Sequence, residues 1–203
     1  MKRVLALVAV PALAVSLAAC GGGDDDSGGS MPGHSMSTSA SPSAGDAQTA
    51  QHNQQDVMFA QMMIPHHQQA VEMADLAATR ASSPDVKTLA AEIKKAQGPE
   101  IEQLTGWLKA WGVSAAPSPG MDHGGHGGMD GMMSEQDMQE LEQAKGEAFD
   151  RAFLTMMIEH HEGAVAMAKT EQSSGQFPPA KKMADSIVTS QSAEIAKMRE
   201  LLN

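Results

Sequence analysis

The feature that most constrains this 203-residue chain is an internal duplication with an offset of 94 residues. Residues 56–109 and 150–203 align without a gap, and 19 of the 54 aligned positions are identical. The shared block D-x-x-F-x-x-M-M-I-x-H-H-x-x-A-V-x-M-A begins at Asp56 in the first copy and at Asp150 in the second. One register that persists through a loop indicates a copied structural unit rather than two unrelated alanine-rich helices.

Each copy has the composition of two helices that are joined at a proline. Both copies are rich in Ala, Gln, Glu, Lys and Met and lack the alternation of a strand. We expect helices over about 56–79 and 85–111, and again over about 136–172 and 179–202. A single hairpin has nothing to bury its apolar stripe against, so the sequence predicts an all-α, four-helix bundle made of two duplicated helical hairpins. The linker between them is long enough for a crossover of the ferritin-like kind.

The rest of the chain divides into a leader, a tether and a linker. Residues 1–20 have a charged start, a short apolar stretch and the ending LAAC, which resembles a bacterial lipoprotein signal peptide ending at a lipidated Cys20. Residues 21–55 predict a disordered tether, because they are Gly, Ser, Asp, Gln and Ala without an apolar period. The domain is expected over 56–203, with hairpin copies at 56–112 and 135–203 and a Met- and His-rich linker at 113–134.

The net negative charge of the chain limits the classes of partner that it can bind. The formal net charge is −11, and loss of the leader would remove two basic residues, Lys2 and Arg3. Nucleic acids and anionic lipid surfaces both require a basic face, so neither is an expected partner. Cys20 is the only cysteine, which leaves no disulfide framework and no thiolate metal site. The expected partners are metal ions and, through the Cys20 lipid, a membrane on its extracytoplasmic side, at the cell surface or in a periplasm.

Two adjacent histidines stand near the middle of the first helix of each copy. At 100° per residue, His66 falls in the centre of the apolar stripe and His67 falls on its flank. Helical side chains lean toward the N-terminus, so these rings lean onto Met62 and Met63, four residues earlier. The second copy repeats the arrangement. A histidine on an apolar stripe is often only a hydrogen-bonded core residue and methionine is often only packing, but adjacent histidines with methionines in both copies favour a metal site.

The second helix of each copy supplies candidate acceptors for these imidazoles. A buried imidazole that binds a metal through one nitrogen needs an acceptor for the N–H of the other. If the hairpin turn lies near residue 82, Gln97 is level with His66, and Glu100 lies opposite Met63 and Ile64. The candidates are Gln97, Glu100, Gln191 and Glu194. The alternative is that they belong to a solvated helix face.

The linker carries a second set of soft ligands. It places thioethers and imidazoles on a glycine-rich backbone that cannot build a core. Thioether and imidazole together select Cu(I), and by analogy Ag(I), over zinc, calcium or magnesium, while histidine with aspartate could also hold Cu(II). The linker candidates are Met121, His123, His126, Met129, Met132 and Met133. We hypothesise that flexible arms acquire copper and the bundle stores it; the alternative is a plain linker.

The paired blocks, each followed by Q-x-x-E-I, resemble the bacterial domain of unknown function 305 family over about 56–203. The resemblance implies a ferritin-like bundle, often exported, in a family that includes copper-binding proteins of the CopM type. Matching the motif position by position marks Met62, Met63, His66, His67, Met73, Met156, Met157, His160, His161 and Met167 as candidate metal ligands.

The sequence is compatible with three functions. The first is an extracytoplasmic lipoprotein that binds or sequesters Cu(I) or Cu(II) for metal tolerance or trafficking. The second is a ferritin-like di-metal oxidoreductase, which needs Glu-x-x-His pairs and bridging glutamates that the two copies do not both supply. The third is a metal-free helical interaction module. No nucleophile, phosphate loop or reducible disulfide stands out in the sequence, so no enzymatic activity is expected.

Overall fold

A computed structural model describes residues 51–116 and 131–203 of the chain. These residues form five helices, named here α1 to α5 in chain order, and no strand. They are α1 (Gln54–Arg80), α2 (Pro84–Ala110), α3 (Glu135–Gln143), α4 (Glu147–Ser174) and α5 (Pro178–Leu202). The four long helices form the bundle and α3 is a short addition, which confirms the predicted fold class. None of the described helices is both long and apolar enough to cross a membrane.

Several predictions from the sequence lie outside the described residues. They concern the leader with Cys20, the first 30 positions of the 21–55 tether, and four ligand candidates of the linker. Those four are Met121, His123, His126 and Met129. All of these stay predictions.

The expected helix over 136–172 is wrong in its continuity, because the chain breaks between α3 and α4. Gly146 has φ 63° and ψ −140°, a conformation that is accessible essentially only to glycine. Its N–H donates to the carbonyl of Arg80 at 2.8 Å, and Gly146 forms a bridge with Ala81. The turn therefore docks the start of α4 against the end of α1. The other predicted helix ends agree with the structure within two residues.

The two hairpins pack through their first helices. α1 packs on α2, α4 packs on α5, and α1 crosses α4. α1 and α4 run antiparallel, since Asn53 before α1 donates to the carbonyl of Ser174 at the end of α4, at 2.9 Å, and Gly146 before α4 reaches the end of α1. The two copies are thus related by an approximate twofold axis across the middle of the α1–α4 crossing.

Two apolar clusters make up the core, one in each half of the bundle. The first contains Met73, Phe153 and Met157, and the second contains Phe59, Met63 and Met167. The offset of 94 residues exchanges the two sets: Phe59 corresponds to Phe153, Met63 to Met157, and Met73 to Met167. On α1 and α4, the adjacent histidines separate the residues of one cluster from those of the other. A polar layer therefore lies across the centre of the bundle.

Candidate metal centre

The central histidines of the two copies meet at the crossing of α1 and α4. The ring centroids of His66 and His160 are 3.7 Å apart and the ring planes are tilted by 42°. Both side chains are buried. They occupy equivalent positions in the duplication, so the pair lies at the approximate twofold axis. The sequence placed both rings on an apolar stripe, and the helix crossing brings them into contact.

The flanking histidines each bond a glutamate from the second helix of their own copy. Nε2 of His67 is 2.8 Å from Oε2 of Glu100, and Nε2 of His161 is 2.6 Å from Oε2 of Glu194. In a neutral ring this places the proton on Nε2 and the lone pair on Nδ1. Both Nδ1 atoms are buried and have no hydrogen-bond partner among residues 51–116 and 131–203. Metal-binding imidazoles show this arrangement, with one nitrogen donating to a carboxylate and the other available to the metal.

The two glutamines of the layer do not accept from the imidazoles as expected. Gln97 and Gln191 are 2 % and 3 % exposed, so the alternative of a solvated face is wrong for them. Their amide oxygens have no hydrogen-bond partner within the described parts of the chain. The glutamate one turn later in each helix takes the role instead, because its carboxylate reaches Nε2 of His67 or His161. The glutamines add buried polar groups to the layer.

The electrostatics of the layer favour a neutral imidazole at His160. Burial lowers the pKa of His160 far below its ordinary value, and the neighbouring imidazoles of His66, His161 and His67 lower it further. These neighbouring rings and the low dielectric constant of the core together disfavour a positive charge on His160. His160 therefore keeps its lone pair at physiological pH.

The methionine candidates lie on both sides of the layer. Met63 and Met167 are buried in the second cluster, and Met73 and Met157 are buried in the first. Two more, Met62 and Met156, are half-buried at the edges of these clusters. In the linker, Met133 is buried in the first cluster and Met132 is half-buried. Both halves of the core, on either side of the imidazoles, therefore contain thioethers.

In the described part of the chain, no three or more His, Cys, Asp or Glu side chains are grouped as a metal site. The candidate centre consists instead of a layer of buried imidazoles between two clusters that contain methionines. Imidazole and thioether donors together suit soft cations.

Glu100 connects the layer to the surface. Its side chain is 23 % exposed and lines a cleft between α2 and α5 that also includes Gln103 and Lys182. On the equivalent side of the bundle, the ion pair of Lys197 with Glu92 joins the same two helices at 3.7 Å. The two His–Glu pairs therefore have different surroundings, although the duplication makes them equivalent.

Two buried aspartates that the sequence aligned without a role brace the copies against each other. Asp150 accepts from the backbone N–H groups of Ser82 and Ser83 at 3.1 and 2.9 Å. Asp56 accepts from those of Gln176 and Phe177 at 3.0 and 2.8 Å. Each carboxylate thus caps the hairpin turn of the other copy. The only indication of this role in the sequence is that both copies have aspartate at this position.

The family model described as "Domain of unknown function (DUF305)" matches residues 56–202. Solved structures of similar chains include a putative secreted DUF305 protein from Streptomyces coelicolor, 34 % identical, with 73 % of this chain and 90 % of that chain covered and a TM-score of 0.68.

Structures of CopM are also similar. Its Cu(II)-bound form is 38 % identical, with 72 % of this chain and 95 % of that chain covered and a TM-score of 0.60. Its Cu(I)-bound form is 35 % identical, with coverages of 72 % and 94 % and a TM-score of 0.59. CopM has also been solved with Ag bound and in the apo form. Comparison with curated proteins gives no match.

Proposed function

The chain belongs to the DUF305 family, and from that premise we propose that it binds copper, Cu(I) in preference and Cu(II) as well, through Met and His side chains. The copper-bound and silver-bound structures of CopM support this proposal, because they show these ions in a related bundle. Copper is cargo here, and no catalytic step is proposed.

The observation that carries the proposal is the buried histidine layer. A packed core has no need of four buried imidazoles, since each one costs free energy to desolvate. Glu100 and Glu194 each accept a hydrogen bond from Nε2 of a flanking ring. The lone pair on Nδ1 of that ring is then available to a metal ion. His66, His67, His160 and His161 would supply nitrogen ligands, and the adjacent thioethers would supply sulfur ligands.

We also propose an extracytoplasmic location with a lipid anchor at Cys20. The description of the Streptomyces coelicolor neighbour as a putative secreted protein supports export, and the LAAC sequence supports lipidation. A tether that ends before α1 would hold the bundle close to the membrane surface, where it would sequester copper for tolerance or pass it on.

The proposal is tested by titrating the mature chain with Cu(I) against a competing chelator. The His66→Leu/His160→Leu variant keeps much of the side-chain volume and removes both central imidazoles. We expect the Cu(I) affinity of this variant to fall by roughly a hundredfold or more. Loss of a residue that only hydrogen-bonds a metal ligand already lowers metal affinity by about 10–100-fold. Circular dichroism checks that the bundle remains helical.

His52→Leu is the matched control, since this ring stacks on Trp111 at 4.3 Å, outside the layer. Affinity of the double variant equal to that of the unmodified chain would refute the histidine centre. If the unmodified chain did not bind copper, a metal-free interaction module would be favoured. Redox turnover by the chain with two metal ions bound would favour an oxidoreductase.

A further inference from the structure

The end of the linker, residues 131–134, lies across the bundle at the level of the histidine layer; it is called the strap below. Gly131 has φ 86°, and a Cβ there would be 2.6 Å from the carbonyl oxygen of Glu159 and 3.1 Å from that of His160. The same Cβ would be 3.0 Å from Cα of Gly163. The strap therefore touches the backbone of α4 directly beside the central histidine, and only glycine fits.

Gln69 of α1 holds the other end of the strap. Its Nε2 donates to the carbonyl of Met133 at 2.9 Å, and the N–H of Met133 donates to its Oε1 at 2.7 Å. Met133 is 9 % exposed and packs in the first cluster. A two-point bond between a side chain and one backbone unit fixes both the position and the direction of the strap.

Gln69 and Gly163 are equivalent positions in the duplication. The two copies thus differ at the place where the strap crosses, because one copy supplies the amide that binds it and the other supplies the space.

The residue between the two anchors is Met132. Gln69 lies one turn beyond His66, and Gly163 lies one turn beyond His160. Because α1 and α4 run in opposite directions, a segment that joins these two points passes the level of the central pair. Met132 is half-buried there.

Two further thioethers share this side of the bundle. Met62 and Met156 stand seven residues before Gln69 and Gly163, and that spacing returns to the same helix face after two turns. Both are half-buried. The strap therefore adds a third half-buried thioether to a face that already carries two.

We propose that Met132 is a ligand which the strap brings to the histidine centre, and that Gln69 is the residue that positions it. The inference rests on the proposed copper function. It assigns to Met132 a sulfur contact with the same ion that the central imidazoles hold, and it makes the last residues of the linker part of the site.

The test combines Cu(I) competition titrations with X-ray absorption on the mature chain, for Gln69→Ala, Met132→Leu and the double variant. Gln69→Ala should weaken Cu(I) binding by roughly tenfold, as loss of a residue that orients a ligand does. Met132→Leu removes the ligand itself and should weaken binding at least as much. The double variant should bind no more weakly than Met132→Leu, since Gln69 acts through that thioether. Each variant should show one sulfur fewer around copper.

Gln68→Ala is the matched control, because Gln68 is the exposed neighbour on the same helix. Hydrogen exchange at the Met133 amide, without metal, reports whether the strap is released in Gln69→Ala. Should that amide stay protected, Gly131→Ala releases the strap by strain. Its control is Gly112→Ala, which shares the positive φ (70°) but meets no atom within 4 Å among the described residues.

Copper binding by the unmodified chain with unchanged affinity and sulfur count in the strap-released variants would overturn this inference alone. Additive losses in the double variant would remove the positioning role of Gln69. Absence of Cu(I) binding by the unmodified chain would overturn the proposed function as well, so the two failures are distinguishable.

Discussion

The pairing of His67 with Glu100, and of His161 with Glu194, determines what these rings can do. A carboxylate on Nε2 fixes the orientation of the ring and raises the basicity of the opposite nitrogen. Since each glutamate is still partly exposed, at 23 % and 20 %, it keeps some of its hydration while it holds a fully buried ring. The layer can therefore present nitrogen lone pairs without burying four charges.

The first prediction concerns these carboxylates. Glu100→Gln/Glu194→Gln should weaken Cu(I) affinity by roughly 10–100-fold, because an amide oxygen polarises the imidazole N–H less than a carboxylate does. Chelator competition measures the affinity. Glu102→Gln, an exposed position on α2, is the control and should leave the affinity unchanged. Equal affinities for all three chains would mean that the carboxylates only solubilise the helix.

Among the helices, the break before α4 shows how a glycine shapes the bundle. Gly146 lets the chain leave α3, reach the carbonyl of Arg80 and begin α4 within three residues. The same end of the bundle holds Asp150, which caps the turn between α1 and α2. The start of α4 is thus attached to the first hairpin by backbone and side chain together.

The second prediction compares two glycine substitutions that meet no atom within 4 Å among the described residues. Gly146→Ala should lower the free energy of unfolding by roughly 1–3 kcal/mol, because φ 63° with ψ −140° strains any side chain. Gly106→Ala, inside α2, should instead raise it by about 0.5–1 kcal/mol through helix propensity. Urea denaturation followed by circular dichroism measures both. Two changes of the same sign would contradict the backbone explanation.

At the scale of the whole molecule, one buried acid distinguishes the two ends of the bundle. Glu171 is fully buried near Asp56, whereas the equivalent position in the first copy is Ala77. Burial raises the pKa of Glu171 to about 8, the neighbouring Asp56 adds to this, and Lys181 opposes it. The pKa of Asp56 is lowered although its burial opposes the shift, because the neighbouring Glu171 carboxyl and the backbone N–H groups that donate to Asp56 favour its ionised form.

The third prediction follows from the sign of that shift. A carboxyl group whose pKa is higher in the folded chain than its ordinary 4.5 binds its proton more tightly when folded. Its contribution to stability is complete below about 4.5 and is lost as the pH rises from there to about 8. The loss is on the order of a few kcal/mol for a buried group. Glu171→Gln should flatten this part of the stability curve.

Urea denaturation at several pH values between 5 and 9 measures the difference. The exposed Glu72→Gln is the control and should keep the slope of the unmodified chain. A Glu171→Gln curve parallel to that of the unmodified chain would show that Glu171 does not titrate in this window.

The sequence alone determined the four long helices, their division into two copies and the central place of His66 and His160. These features depend on helical periodicity and on a register that both copies share, and both are local properties of the chain. Glu100 was also predicted as the partner of an imidazole, because its level follows from the length of one hairpin.

Only the tertiary structure decided the break at Gly146, the braces at Asp56 and Asp150, and the strap held by Gln69. Each of these joins residues that are far apart in the chain, and their contacts depend on how α1 crosses α4. Periodicity specifies which face of a helix is buried, but it contains no information about which distant backbone group that face will meet.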